Sequence, residues 1–327
     1  MVDIKDLYSG ILTGLHREKP QKTMDKKLII NVAPTGSFTT REQNLGQPYT
    51  MEENVHAVVE AYKAGASVWH VHGREKSGLP SKDPYVLKET IARVLDKCPD
   101  MIPSVMPYVN YNEQGLGLIK HCVDVLTDTG PHYMQSAVLL CQASSFSEKF
   151  TYTVTQKLLT EQVAYLEEHG VRAEYQTTSY QGIRNVTDWL IDTGIAKDPP
   201  LMNIMAGFHG HSYGSLIGPD FLGYEYIMTM QQTLASHAVK GLCVGGRNWL
   251  PFSVMAIMLG FDMVRVGMED TVYLYPHRDD RIQTSADAVR KVVVIANELG
   301  REIATPAEAK AIMGINPAAR QIPAFRG

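Results

Sequence analysis

Residues 67–95 read SVWHVHGREKSGLPSKDPYVLKETIARVL, and their order decides the fold. Ser67–His72 is a short apolar run of strand length. Gly78 and Pro80 mark the loop that follows. Pro84–Leu95 then carries a helical pattern, with Pro84 suited to the first helical turn. Strand, loop and helix in this order make one βα unit.

The same rhythm extends in both directions. Strand-like runs lie at Leu28–Val32, Met101–Met106, Tyr133–Ala137, Arg172–Thr177, Leu201–Ala206, Gly241–Val244 and Met263–Val266, which with Ser67–His72 makes eight. Between them, Met51–Ala64 sets Val55, Val58, Val59 and Tyr62 on one helical face. Val154–His169, Gly182–Thr193, Gly223–Ser236, Pro251–Leu259 and Ala286–Leu299 read similarly, and Gly170, Gly194, Gly260 and Gly300 suit helix stops. Only a weak helix, around Leu116–Val125, separates the third and fourth strands. Eight alternations predict a closed (β/α)8 TIM barrel. An open doubly wound sheet fits less well, because no GxGxxG loop follows the first strand. The expected organisation is an extension over 1–27, the catalytic barrel over 28–315 and a tail over 316–327.

Bulk properties narrow the function classes. The chain has 327 residues, 44% hydrophobic and 20% charged, with net charge −4. That balance offers no broad basic face for nucleic acid. No apolar run approaches the ~20 residues that span a bilayer. The first 27 residues lack the apolar block of a signal peptide, so a cytoplasmic location is expected. Cys98, Cys122, Cys141 and Cys243 show no paired spacing and are expected to be free thiols.

Two stretches carry chemistry. In a strand, His70 and His72 point to one face, and in a barrel they sit at the end that opens on the mouth. Two imidazoles at i and i+2 can grip one metal ion, or can be hydrogen-bonded polar residues beside a loop. Arg265-Val-Gly-Met-Glu-Asp270 leaves the last strand at the same end. Glu269 can complete a His2Glu set that keeps an open coordination position. Asp270 beside Arg265 is a candidate general base, or one half of a salt bridge closing the mouth. Two further stretches are weaker. His209 and His211, in GFHGHS, are candidate substrate contacts; Gly245-Gly246-Arg247 can hold an anion.

Taken together, Ala33-Pro-Thr-Gly36, His70-Val-His-Gly-Arg74, Gly78-Leu-Pro-Ser-Lys-Asp83, Gly246-Arg247 and Arg265-Val-Gly-Met-Glu-Asp270 resemble the β-keto acid cleavage enzymes. The likeness, typified by the 3-keto-5-aminohexanoate cleavage enzymes, runs from about Leu28 to about Gly314. It implies a zinc-bearing barrel and a Claisen-type exchange, in which a β-keto acid and acetyl-CoA give acetoacetate and a new acyl-CoA. It implies His70, His72 and Glu269 as metal ligands, Arg265 and Asp270 as the catalytic pair, and a homodimer or homotetramer. Thr35, Gly36, Met106 and Gln135 fall at substrate-contact positions. Phe38, Met106, Gln135 and Gln176 depart from the residues the family pattern places there, and make the pocket less acidic. That argues against an aminated keto acid, whose ammonium would lack a carboxylate partner. A metal-dependent aldolase or hydrolase acting without CoA is the alternative chemistry on the same barrel, and a ligand-binding relative without catalysis is a third.

Overall fold

The computed structural model describes residues 3–6, 8–9, 18–36, 39–108, 115–147, 150–207 and 221–315. Eight parallel strands close on themselves: β1 (Ile29–Val32), β2 (Val68–Val71), β3 (Ile102–Val105), β4 (Ser136–Leu140), β7 (Arg172–Thr177), β8 (Leu201–Ala206), β9 (Val239–Val244) and β10 (Met263–Val266). They are neighbours in that order, and β1 pairs with both β2 and β10. β5 (Ser144–Ser147) and β6 (Phe150–Tyr152) form a separate antiparallel pair after β4. Helices separate the barrel strands: α1 (Met51–Lys63), α2 (Pro84–Lys97), α3 (Gly117–Thr127), α4 (Gln156–Glu168), α5 (Tyr180–Val186), α6 (Phe221–Thr233), α7 (Trp249–Leu259) and α8 (Ser285–Glu298). The TIM-barrel expectation holds.

Local chemistry sets the boundaries. Thr50 and Glu53 close a capping box at the start of α1. Asp83 caps α2, whose first turn holds Pro84. Two expectations move. The fourth strand begins at Ser136 rather than Tyr133, because Pro131–Tyr133 forms a 3-10 turn and the buried run Ser136–Leu140 does the pairing. The helix after β7 is divided, with α5 passing into a π-turn at Thr187–Ile191. All four cysteines are buried and free. Among the described residues no helix is long and apolar enough to cross a membrane.

The barrel interior is layered. Ile29, Val68, Ile102, Leu201, Val239 and Met263 form an apolar floor near the amino ends of their strands. Ala304, Ala309, Met313 and Ile315 plug it from below, carried by α9 (Pro306–Ile312) and its flanks. Two residues further along each strand the side chain returns to the same face. There the residues are Asn31, His70, Ser104, Asn203 and Arg265, all buried and polar except for half-buried Asn203, and Glu174 joins them from β7. Barrels usually fill such a layer with branched apolar side chains. Polar groups persist there only when hydrogen-bonded. Glu174 accepts from Ser104 Oγ (2.5 Å), Ser136 Oγ (2.5 Å) and Asn203 Nδ2 (2.8 Å). Gly241 makes room for Asn203, because a Cβ there would overlap its amide oxygen.

Candidate active site at the barrel mouth

His70 lies in β2 and His72 just beyond it, while Glu269 and Asp270 follow β10. The end of β1 separates the two pairs. Val266 O accepts from Ala33 N (2.9 Å), and Ala33 O accepts from Glu269 N (3.0 Å). This fold-back over β1 passes through Gly267, whose φ of +145° and contact with Ala33 exclude a side chain. Glu269 is thereby brought over the imidazole pair.

His70 Nε2 and His72 Nε2 are 3.1 Å apart. Glu269 Oε1 lies 3.3 Å from the His72 nitrogen and 3.8 Å from that of His70. Ligands 2.0–2.2 Å from a tetrahedral ion are separated by about 3.3–3.6 Å, so the three atoms have the spacing of one coordination face. Two buried atoms also lack partners, His70 Nδ1 and Glu269 Oε2. A donor set of two imidazoles and a carboxylate, drawn together with a carboxylate oxygen left unused, fits a divalent cation. Among the described residues this is the one His/Cys/Asp/Glu group with metal-holding spacing.

Arg265 organises the carboxylates. Its Nε and Nη2 donate to Asp270 Oδ2 (2.9 Å) and Oδ1 (2.8 Å), a two-pronged pairing. Nη2 also lies 2.8 Å from Glu269 Oε1. Burial would raise both carboxyl pKa values, yet they part. For Glu269, Arg265 and the two imidazoles outweigh burial and hold the group below the usual carboxylate range. For Asp270, burial and the charge of Glu269 overcome Arg265 and push it up to about 6. Burial and then Arg265 hold His70 well below its ordinary value, so its imidazole is neutral and can ligate. Cys243 Sγ stands 3.5 Å from Asp270 Oδ2, and burial pushes that thiol up.

The first loop is pinned from below. Buried Arg74 donates to Thr35 Oγ1 (2.8 Å), Gly36 O (2.5 Å) and Gly78 O (2.8 Å). Gly36 presses against Glu269: a Cβ on it would approach Glu269 Cγ, Cδ and Oε1 within less than 3.0 Å.

The other expected contacts divide. Thr35 and Gly36 lie at the mouth, and Met106, half-buried, follows β3 there. Gln135 does not. It precedes β4, donates to His132 O and sits at the opposite end of the barrel from the triad, because the strand starts later than its sequence suggests. Arg247 stands on the rim, paired with Asp279 and stacked over Tyr273. Phe38, His209 and His211 lie outside the described residues. Gln176 lines a cavity of about 20 Å³ under the mouth, room for one water. Arg74 and Glu174 were missed as functional candidates. The signal for Glu174 was present, since it stands two residues before Gln176 on the same face of β7. Nothing local in the sequence marks Arg74 as the anchor of a loop 38 residues away.

A closed (β/α)8 barrel with a His2Glu triad and a buried Arg–Asp pair at its carboxyl end defines a class of barrel enzyme with a metal-type site. The sequence profile of the family described as BKACE, beta-keto acid cleavage enzyme, matches residues 27–315, and the chain belongs to that family. A 3-keto-5-aminohexanoate cleavage enzyme from Acetoanaerobium sticklandii is 30% identical over 295 residues, covering 89% of this chain and 99% of the relative. A 3,5-dioxohexanoate:acetyl-CoA acetone transferase from Paraburkholderia graminis is 25% identical, covering 90% and 97%. The structure of ObcA in a ternary complex with a C4-CoA adduct and oxalate shares the fold, with TM-score 0.67 and 16% identity, over 82% of this chain and 67% of that one. The chain is thus a divergent member of a family of carbon–carbon-cleaving acyltransferases.

Proposed function

We propose that this chain exchanges the acyl group of a β-keto acid for the acetyl group of acetyl-CoA, releasing acetoacetate and a new acyl-CoA, with His70, His72 and Glu269 holding zinc. The observation that carries the reading is the convergence of the triad on the same mouth as the Arg265–Asp270 pair. The names of the relatives support the acetyl-CoA co-substrate.

Bound there, the ion supplies Lewis acidity that draws charge from the keto acid's ketone and carboxylate. Asp270 takes a proton from C2, between those two groups. The carbon nucleophile bonds to the acetyl carbonyl and CoA thiolate leaves. The thiolate then attacks the original ketone, the bond from that carbon to C2 breaks, and acyl-CoA forms. C2 recovers its proton from Asp270 as acetoacetate. Arg265 fixes the direction of the Asp270 carboxylate throughout, and Glu269 is held by the same guanidinium.

The substrate side chain carries no amino group in this reading. Glu174 is fully engaged by Ser104, Ser136 and Asn203, and Gln176 and Met106 are neutral, so none of them offers an ammonium a free carboxylate. The test is an array of β-keto acids incubated with acetyl-CoA and followed by mass spectrometry. Acetoacetate and acyl-CoA in equal amounts, abolished by a chelator and restored by zinc, are expected. Cleavage that proceeds without CoA overturns the exchange, and chelator resistance overturns the metal.

A further inference from the structure

A cluster of cations stands at the rim of the mouth, outside the machinery described above. Tyr273 carries two guanidinium groups on its ring, Arg247 at 3.5 Å and Arg281 at 4.3 Å from the centroid. Tyr275 carries Arg278 at 4.3 Å and Lys291 at 4.2 Å, and Lys291 Nζ also donates to its hydroxyl (3.1 Å). Two carboxylates answer these four cations. Asp279 pairs with Arg247 and Asp280 with Arg278 (2.7 Å). Among the described residues neither Arg281 nor Lys291 has a carboxylate in ion-pair contact. The rim therefore carries an excess of two positive charges in a chain whose net charge is −4.

The cluster is built rather than incidental. Tyr273 and Arg281 bridge the ends of a tight loop, and Leu274 N donates to Asp280 O. Arg247 Nη1 donates to Arg278 O (2.7 Å), which ties the loop after β9 to the loop after β10. Guanidinium groups stacked on rings lose less freedom on binding an anion than free ones. The position also matters. Gly246 N donates to Asp270 O, so Arg247 is one residue from a direct contact with the Asp270 backbone. Tyr273 is three residues past Asp270, at most about 11 Å along the chain. Loops after the last two strands of such barrels are a frequent place for phosphate.

Resting on the acetyl-CoA reading, we propose that this rim binds the phosphates of the CoA thioester, with Arg281 and Lys291 as the uncommitted cations that meet them. A site beside the reacting centre suits a ligand whose phosphates are joined to its thioester by a long flexible arm. It leaves the mouth itself to the keto acid and the acetyl group.

The test compares the metal-loaded wild type with Arg281→Ala/Lys291→Ala, and with Arg281→Lys as the charge-preserving control. The double variant is expected to raise KM for acetyl-CoA at least about tenfold, with kcat and KM for the keto acid within about twofold of wild type. Arg281→Lys should retain most of the affinity. Adenosine 3′,5′-bisphosphate should inhibit the wild type competitively against acetyl-CoA, and the double variant much less. Added salt should weaken acetyl-CoA binding more in the wild type. An unchanged KM for acetyl-CoA in the double variant, or equal rises in both KM values, overturns the assignment alone. A wild type that binds neither acetyl-CoA nor the bisphosphate overturns the acetyl-CoA reading with it.

Discussion

Alanine in place of Gly36 should damage the proposed metal site without replacing any of its ligands. The backbone of Gly36 is not in the left-handed region, so the substitution adds no conformational strain of its own. The added methyl instead meets Glu269 Cγ, Cδ and Oε1, all closer than 3.0 Å. One side must yield. The first loop is clamped by the three acceptors of Arg74, and Glu269 is 1% exposed, with its oxygen against Arg265. Relief to ordinary van der Waals contact requires a shift on the order of 1 Å. Overpacking of this kind costs about 1–3 kcal/mol. Displacing a group that sets a ligand's position weakens metal binding by about 10- to 100-fold. The assays are zinc retention against a competing chelator and thermal unfolding of the metal-free protein. The first reads the ligand geometry and the second the packing. A Gly36→Ala protein with wild-type zinc affinity and unchanged unfolding temperature would refute the contact between the first loop and Glu269.

Further outcomes follow from other parts of the structure. Asp270→Asn should lower kcat by about 10²–10⁴-fold, the usual contribution of a general base, while zinc content stays at one per chain; normal turnover would remove Asp270 from proton transfer. Arg74→Ala should lose about 1.5–3 kcal/mol of stability, a typical effect for hydrogen bonds from a charged group, and weaken zinc binding, with unchanged chemical denaturation counting against the clamp. Burial, reinforced by Lys88 and opposed by Asp128, holds the His132 pKa below its ordinary value. The unfolded chain then takes up this proton first, so the stability the neutral imidazole contributes is complete above about pH 6.5 and falls away as pH drops towards the folded pKa. His132→Gln should therefore lose less unfolding temperature than the wild type between about pH 7.5 and about pH 5.5, and equal losses would contradict the shift.

The parts legible in the sequence share a physical property: each is encoded by local pattern. The eight strands are short apolar runs between helical periods, and seven of the eight begin within two residues of their expected start. His70 and His72 are two residues apart on a strand, so alternation alone aims them together. Glu269 and Asp270 follow the last strand, and the topology of a barrel puts the ends of β2 and β10 on either side of β1. The sequence pattern places the start of the fourth strand three residues early because Tyr133 and Met134 are as apolar as the residues that pair. That shift moved Gln135 from the mouth to the floor. Arg74 and the contact of Gly36 with Glu269 depend on how the first two loops pack on each other, which no periodicity reports.

The layering explains why this barrel hosts chemistry near its own axis rather than in its loops alone. Along β2 the inward positions run Val68, His70, His72, and along β10 they begin Met263, Arg265. In each case an apolar residue anchors the floor and the next inward residue is polar. The floor is packed by the buried side chains of Met313, Ile315 and the alanines of the carboxyl-terminal segment, which seal it with apolar groups. The polar layer is thus screened on one side and faces the mouth on the other. In that setting Arg265 acts at low dielectric, where its charge holds two carboxylates instead of one. The same seal makes every unsatisfied atom costly, which is why Glu174 collects three donors. Glu269 Oε2 and His70 Nδ1 are left over, as are the side-chain oxygens of Asn31 and Asn203 in the polar layer. Glu174 is satisfied completely, while Glu269, in the one group with metal-holding spacing among the described residues, keeps an oxygen without a partner, and that contrast is what favours a cation at the mouth.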